Sequence, residues 1–228
     1  MIKRALISVW DKKNLHDFAN FLVNNGVEII STGGTAKFLK EKNITVTDVG
    51  EITGMDSIMD GRVKTLNPKI FGGILADRFN TNHVDDLKII GGELIDLIVV
   101  NLYPFSENAV KKKLESQEAI EFIDIGGPSM IRAAAKNYHS VSVLCDVNDY
   151  KKFVYNFDSS KSDISLEYKK SLAAKVFFET SKYHYEIFNY LNDSKQNHFT
   201  EQKLLKLKKV DNLRYGENPH QSSAFYLE

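Results

Sequence analysis

The chain has 228 residues, 30 of them basic and 30 acidic, with 43% apolar and 26% charged side chains. That length and apolar fraction suit one large domain, or one domain plus part of another, around a substantial core. A formal net charge of zero argues against a dedicated nucleic-acid partner, and the N-terminal apolar run of residues 5–10 is too brief for a signal peptide or a membrane span.

Residues 5–9 (ALISV) form a short buried strand, and Leu15, Phe18 and Leu22 then recur at helical spacing. Residues 27–32 are the next strand, residues 35–40 a helix after Gly33-Gly34, and residues 46–49 a third strand. After an irregular stretch, residues 95–102 make the most hydrophobic strand of the chain. A helix follows the Gly126-Gly127-Pro128 turn and ends at Lys136, and residues 141–145 are a further strand. Its Cys145 cannot form an internal disulfide and reads as a small core hydrophobe in a reducing compartment, so the protein is expected to be cytoplasmic. Residues 166–191 are helical, as one long or two shorter helices, and residues 193–200 are a polar linker. Lys203, Lys206, Lys208 and Lys209 form a solvated basic run. Strands that are apolar throughout and alternate with helices imply an α/β fold with a mainly parallel sheet. Ligands of such sheets gather beyond the carboxyl ends of the strands.

Polar clusters fall at those ends. Ser8-Val9-Trp10-Asp11-Lys12 follows the first strand, where Lys12 can meet an anion or Asp11 can simply cap a helix. Thr32-Gly33-Gly34-Thr35 follows the second, and glycine backbone at a helix N-terminus flanked by hydroxyls suits a phosphate. It is neither a Walker motif nor the longer dinucleotide fingerprint. Gly61-Arg62-Val63-Lys64-Thr65 sets two cations on one face if extended, an arrangement that favours an intervening anion. Asn101-Leu102-Tyr103-Pro104-Phe105 closes the most buried strand with an amide and a phenol suited to a heterocycle. Finally, Asp124-Ile125-Gly126 precedes the Lys136 helix, whose two ends are a carboxylate and an ammonium group. Each cluster has a plain structural reading as a cap, turn or exposed cation; their shared position favours a site.

These motifs, in this order, resemble the IMP cyclohydrolase domain of the bifunctional AICAR transformylase/IMP cyclohydrolase family. The resemblance covers residues 1 to about 200 and implies a methylglyoxal-synthase-like three-layer fold followed by C-terminal helices. Leu213-Arg214-Tyr215-Gly216-Glu217-Asn218-Pro219-His220 is similar to the opening of the transformylase domain. Residues 201–228 are therefore expected to be a linker and the start of that domain. Arg214 and Tyr215 would be a remnant of its AICAR site. Transformylase activity, with 10-formyltetrahydrofolate as co-substrate, is expected only of a longer parent.

The resemblance further implies ring closure of formyl-AICAR to IMP with loss of water, without cofactor or metal, by a homodimer that binds a purine nucleotide. The substrate contacts it implies come from Ser8, Trp10, Asp11, Lys12, Thr32, Gly33, Gly34, Thr35, Arg62, Val63, Lys64, Thr65, Val100, Asn101, Asp124, Ile125 and Gly126. It makes Lys136 the proton-transfer residue, paired here with Asp124. Tyr103 would share protons, and Lys64 would steady oxyanion charge. Trp10 stands where the family commonly has Ser, and Asn67 where it has His, so Asn67 is given no acid-base role. A methylglyoxal synthase-type lyase and a non-catalytic nucleotide-binding regulatory module are the alternative readings of the same fold.

Overall fold

The computed structural model describes residues 1–158, 161–192, 204–205 and 207–227. It divides into two compact units, Met1–Ile187 and Phe188–Glu228. The first unit holds a five-stranded sheet in the order β3-β2-β1-β4-β5, formed by β1 (Arg4–Ile7), β2 (Glu28–Ser31), β3 (Thr47–Asp48), β4 (Leu97–Val99) and β5 (Ser142–Leu144). Every pairing in it is parallel. All carboxyl ends therefore share one edge, and the strand order reverses direction between β1 and β4.

Helices α1 (Leu15–Asn24) and α2 (Gly33–Glu41) join the strands on one side of that reversal. On the other side run α3 (Val49–Thr53), α4 (Pro68–Leu75), α5 (Thr81–Ile89), the one-turn α6 (Ser116–Ala119) and α7 (Gly126–Lys136). Right-handed crossovers put α1 and α2 on one face, and α4 and α7 on the other. α8 (Asp149–Asn156) packs on α1, where the rings of Phe18 and Tyr150 stack at 4.5 Å. The strands are apolar on both sides because both sides are covered: Leu6, Ile7, Ile30, Leu97, Ile98 and Leu144 are fully buried. α9 (Leu166–Asn192) is one continuous helix of 27 residues.

Local chemistry moved several expected boundaries. The third strand shrinks to two residues because Asp48 caps α3, accepting from Gly50 N–H at 2.9 Å, while Glu51 reaches back to Asp48 N–H. Gly126 and Gly127 lie inside the first turn of α7, not in a turn before it, and Pro128 is the third helical residue. β5 ends at Leu144, leaving Cys145 half-buried, and burial pushes its thiol up to about 12, so it is unreactive.

In the second unit, β6 (Lys208–Leu213) and β7 (Ser223–Leu227) form an antiparallel ladder with a register shift between Lys209 and Asp211. The expected linker-like segment thus contains a hairpin. Lys208 and Lys209 are exposed on it; Lys203, Lys206 and the linker over 193–200 lie outside the described residues.

Candidate active site

Three strands deliver their clusters to the carboxyl edge, and hydrogen bonds between loops hold them together. Ser8 N–H donates to Val99 O at 2.9 Å, continuing the β1–β4 ladder by one residue. Asn101 Oδ1 accepts from the N–H groups of Trp10 (2.7 Å) and Asp11 (2.9 Å), and its Nδ2 donates to Asp11 O (2.9 Å). The amide expected to address a base is thus engaged in stitching the β1 loop across the reversal of the sheet. Beside it the exposed rings of Trp10 and Tyr103 pack at 4.7 Å, forming a tilted aromatic pair. Val100 is buried, and its N–H donates to Leu144 O.

Thr35 differs from expectation. Its hydroxyl accepts from Val9 N–H and donates to Val9 O, both at 3.0 Å, and the residue is only 4% exposed. That hydroxyl is engaged in latching α2 to the loop after β1. The backbone of the cluster still suits an anion: Gly33 to Thr35 occupy the first turn of α2, whose N–H groups have no intrahelical acceptor. Gly33 has φ +56°, which the missing Cβ permits.

The segment from Gly61 to Thr65 is not extended. Arg62 is αR, so the two cations do not share a face; its guanidinium pairs with Glu121, whereas Lys64 folds back over Gly61. Lys64 Nζ lies 3.6 Å from where a Cβ on Gly33 would sit, which brings this ammonium to the α2 N-terminus. Thr65 is buried, and its Oγ1 is 3.3 Å from the equivalent point on Gly126. The third cluster therefore bridges the second and the fifth. Asn67 caps α4, accepting from Lys69 N–H at 2.9 Å, which accounts for an amide at that position. Lys12 is near the mouth, its Nζ donating to Trp10 O at 3.3 Å, while the Asp11 carboxylate accepts from Lys13 N–H.

Asp124 precedes α7, and its carboxylate accepts from Gly127 N–H at 2.9 Å. Burial pushes its carboxyl above the usual range, with the N–H groups of Gly127 and Gly126 pulling the other way. A carboxylate made more basic in this way is the better proton acceptor. A side chain on Gly127 would overlap Asp124 Oδ2, so the glycine is a spatial requirement of that contact. Lys136 is not there. It lies exposed at the far end of α7, about 15 Å along the axis from Gly126. The adjacent Asn137 donates to Ile74 O and Ala76 O, and the chain then enters β5 at the amino edge of the sheet. Within the chain, the expected Asp124–Lys136 pair does not form.

The Asn101–Phe105 loop, Cys145 and α9 border an open groove of about 400 Å³, which Tyr103, Lys182, Tyr183 and Glu186 line. Tyr183 is not among the site residues expected from the sequence; it belongs to the stretch expected only to be helical over 166–191. Among the described residues no group of three or more His, Cys, Asp or Glu could hold a metal ion. No helix among them is long and apolar enough to cross a membrane. Arg214 and Tyr215 are exposed at the end of β6 in the second unit, where Ser223 Oγ donates to Tyr215 O.

A family model for the MGS-like domain matches residues 14–129, half of the chain and most of the segment that carries these loops. The chain belongs to the MGS-like domain family. Residues 134–228 match a second model, the AICARFT/IMPCHase bienzyme. Curated relatives extend the likeness beyond the MGS-like domain. The bifunctional purine biosynthesis protein PurH of Clostridium kluyveri is 52% identical over 226 residues, 99% of this chain and 44% of its own. PurH of Fusobacterium nucleatum is 51% identical over 228 residues, 100% of this chain and 44% of its own. The chain thus spans less than half the length of these relatives and corresponds to the N-terminal part of PurH. Among solved structures, that of ForH superposes with a TM-score of 0.71 at 27% identity, covering 84% of this chain and 100% of that one.

Proposed function

We propose that the MGS-like domain binds a purine nucleotide across the carboxyl edge of its sheet and closes formyl-AICAR to IMP, the IMP cyclohydrolase step of purine biosynthesis. The observation that carries this reading is the convergence of a basic carboxylate, Asp124, with Thr65, Lys64 and the open N-terminus of α2. PurH relatives matched along the whole chain favour it over a methylglyoxal synthase-type lyase or a regulatory module.

In the reaction the carboxamide nitrogen attacks the formyl carbon, forming a C–N bond while the formyl oxygen takes up charge. Nitrogen gives up protons, the oxygen is protonated, and it leaves as water when the ring C=N forms. Both reacting groups belong to one molecule, so holding the cyclising conformer and moving protons are the demands on the protein. Asp124 accepts the nitrogen proton, and Tyr103 shares protons at the groove. Lys64 steadies the oxyanion. The 5′-phosphate sits on the N–H groups of Gly33, Gly34 and Thr35, with Lys12 and, once released from Glu121, Arg62 beside it. Trp10 and Tyr103 offer the heterocycle a ring face. Ser8, Asp11, Thr32, Val63, Val100, Ile125 and Gly126 line the same edge and contribute mainly backbone and shape. Thr35 and Asn101 act by holding the loops.

The test is an absorbance assay with formyl-AICAR and no folate. Turnover supports the reading. Nucleotide binding without turnover would favour a regulatory module, and phosphate release from dihydroxyacetone phosphate would favour a lyase. Lys64→Ala lowers kcat by about 10²–10³-fold, the usual effect of losing an oxyanion partner. A raised KM with kcat unchanged would instead make Lys64 a phosphate ligand. Lys136→Ala turns over close to the parental rate, because the residue lies at the opposite edge; a loss of about 10²-fold or more would return the proton-transfer role to it.

The larger proposal is that residues 1–200 are the cyclohydrolase domain and residues 201–228 begin the transformylase domain, to which Arg214 and Tyr215 contribute AICAR contacts. A PurH-type parent would be a cytoplasmic homodimer using 10-formyltetrahydrofolate as transformylase co-substrate. Neither a metal nor a cofactor is assigned to the cyclisation.

A further inference from the structure

The loop that carries Asp124 is held from outside its own helix. Asp124 N–H precedes α7 and has no helical acceptor; it donates instead to Tyr183 Oη at 2.7 Å, across 59 residues of sequence. Tyr183 is 5% exposed on α9, and burial pushes its phenol up to about 12, so the hydroxyl stays neutral at any working pH. The same helix is anchored two turns earlier. Lys175 Nζ donates to Asp146 at 2.8 Å and to Asp149 at 2.7 Å, beyond the end of β5. α9 is thus fastened to the carboxyl edge at Lys175 and at Tyr183, whose hydroxyl meets the backbone of the reacting carboxylate's residue. The side chain of Asp124 is meanwhile fixed by Gly127 N–H. One residue is therefore pinned at both backbone and carboxylate, by partners from different helices.

We propose that Tyr183 is a positioning residue for cyclisation: its phenol oxygen sets the depth and direction of the Asp124 carboxylate. The inference rests on the function proposed above, in which Asp124 is the proton acceptor. A small misplacement of such a group is enough to cost about 10²-fold in rate. Substitution by Phe keeps the buried ring and removes only the oxygen.

The experiment is a double-mutant cycle on the whole chain with formyl-AICAR, comparing Tyr183→Phe, Asp124→Asn and the double variant. Folding is checked by thermal melting, and IMP affinity is measured on the same samples. Tyr183→Phe is expected to lower kcat by about 10- to 100-fold with KM and IMP affinity little changed. The burial and the Gly127 N–H contact that set the basicity of Asp124 both depend on where its carboxylate sits, so the acid limb of its kcat profile moves when the tether is lost. The double variant loses no more activity than Asp124→Asn alone, because Tyr183 acts through Asp124. A parental kcat with an unmoved limb in Tyr183→Phe, or multiplicative losses in the double variant, would overturn the inference. Full activity of Asp124→Asn would instead overturn the reading of the site on which it rests. Should Tyr183→Phe melt below the assay temperature, Tyr183→Met replaces it, judged by the same limb and the same cycle.

Discussion

Asp124→Asn lowers the turnover of formyl-AICAR by about 10²–10⁴-fold, the range a positioned acid-base group contributes, while IMP affinity stays near parental. The substitution keeps the shape and the acceptor oxygen for Gly127 N–H, so α7 retains its N-terminal partner. What it removes is the basic lone pair, raised in basicity by burial. An independent route to the same result is Gly127→Ala. A methyl group there collides with the carboxylate, and the carboxylate must move. Steady-state kinetics on both variants check the point. Matching losses in kcat tie the effect to where the carboxylate sits, whereas a normal kcat in Gly127→Ala would show that its seat is not critical.

Thr35→Val destabilises the first unit strongly rather than weakening nucleotide contact. Valine matches threonine in shape but leaves both Val9 N–H and Val9 O without their partner in a nearly closed environment. Each stranded group costs about 1–3 kcal/mol, a large share of the roughly 5–15 kcal/mol that holds an ordinary domain together. Urea titration followed by circular dichroism measures the loss as a lowered midpoint with unchanged slope. An unshifted midpoint with raised KM would restore the hydroxyl to the ligand.

Thr35 and Asn101 mark the limit of what local pattern carries. The alternation of strands and helices follows from apolar runs and their spacing, and the clusters at strand ends follow from it, because a parallel sheet gathers its carboxyl ends on one edge. Those inferences need only local pattern and handedness. The employment of Thr35 and Asn101 is different. Each looked like a ligand group because its type and place suited one, yet each bonds to a loop 26 or about 90 residues away. No periodicity reports such a partner. Lys136 is separated from Asp124 within the chain for the converse reason: a residue at the end of a helix that starts at the site is carried to the opposite edge by the rise of that helix. The β6–β7 hairpin escaped notice since the turn between its strands spans nine residues.

The stitches between loops bear on how the site comes into being. Val9 with Thr35, Ser8 with Val99 and Trp10 with Asn101 join segments that meet only after β2, β1 and β4 have paired. Partly folded chains therefore have nothing to offer a nucleotide, and the ligand recognises the finished fold alone. By mass action, IMP at 100 times its dissociation constant adds about 2.7 kcal/mol to the native state. Under the function proposed above the product pool of the cell would then act as a stabiliser of the protein that fills it, so that abundance of the folded chain follows the supply of its own nucleotide.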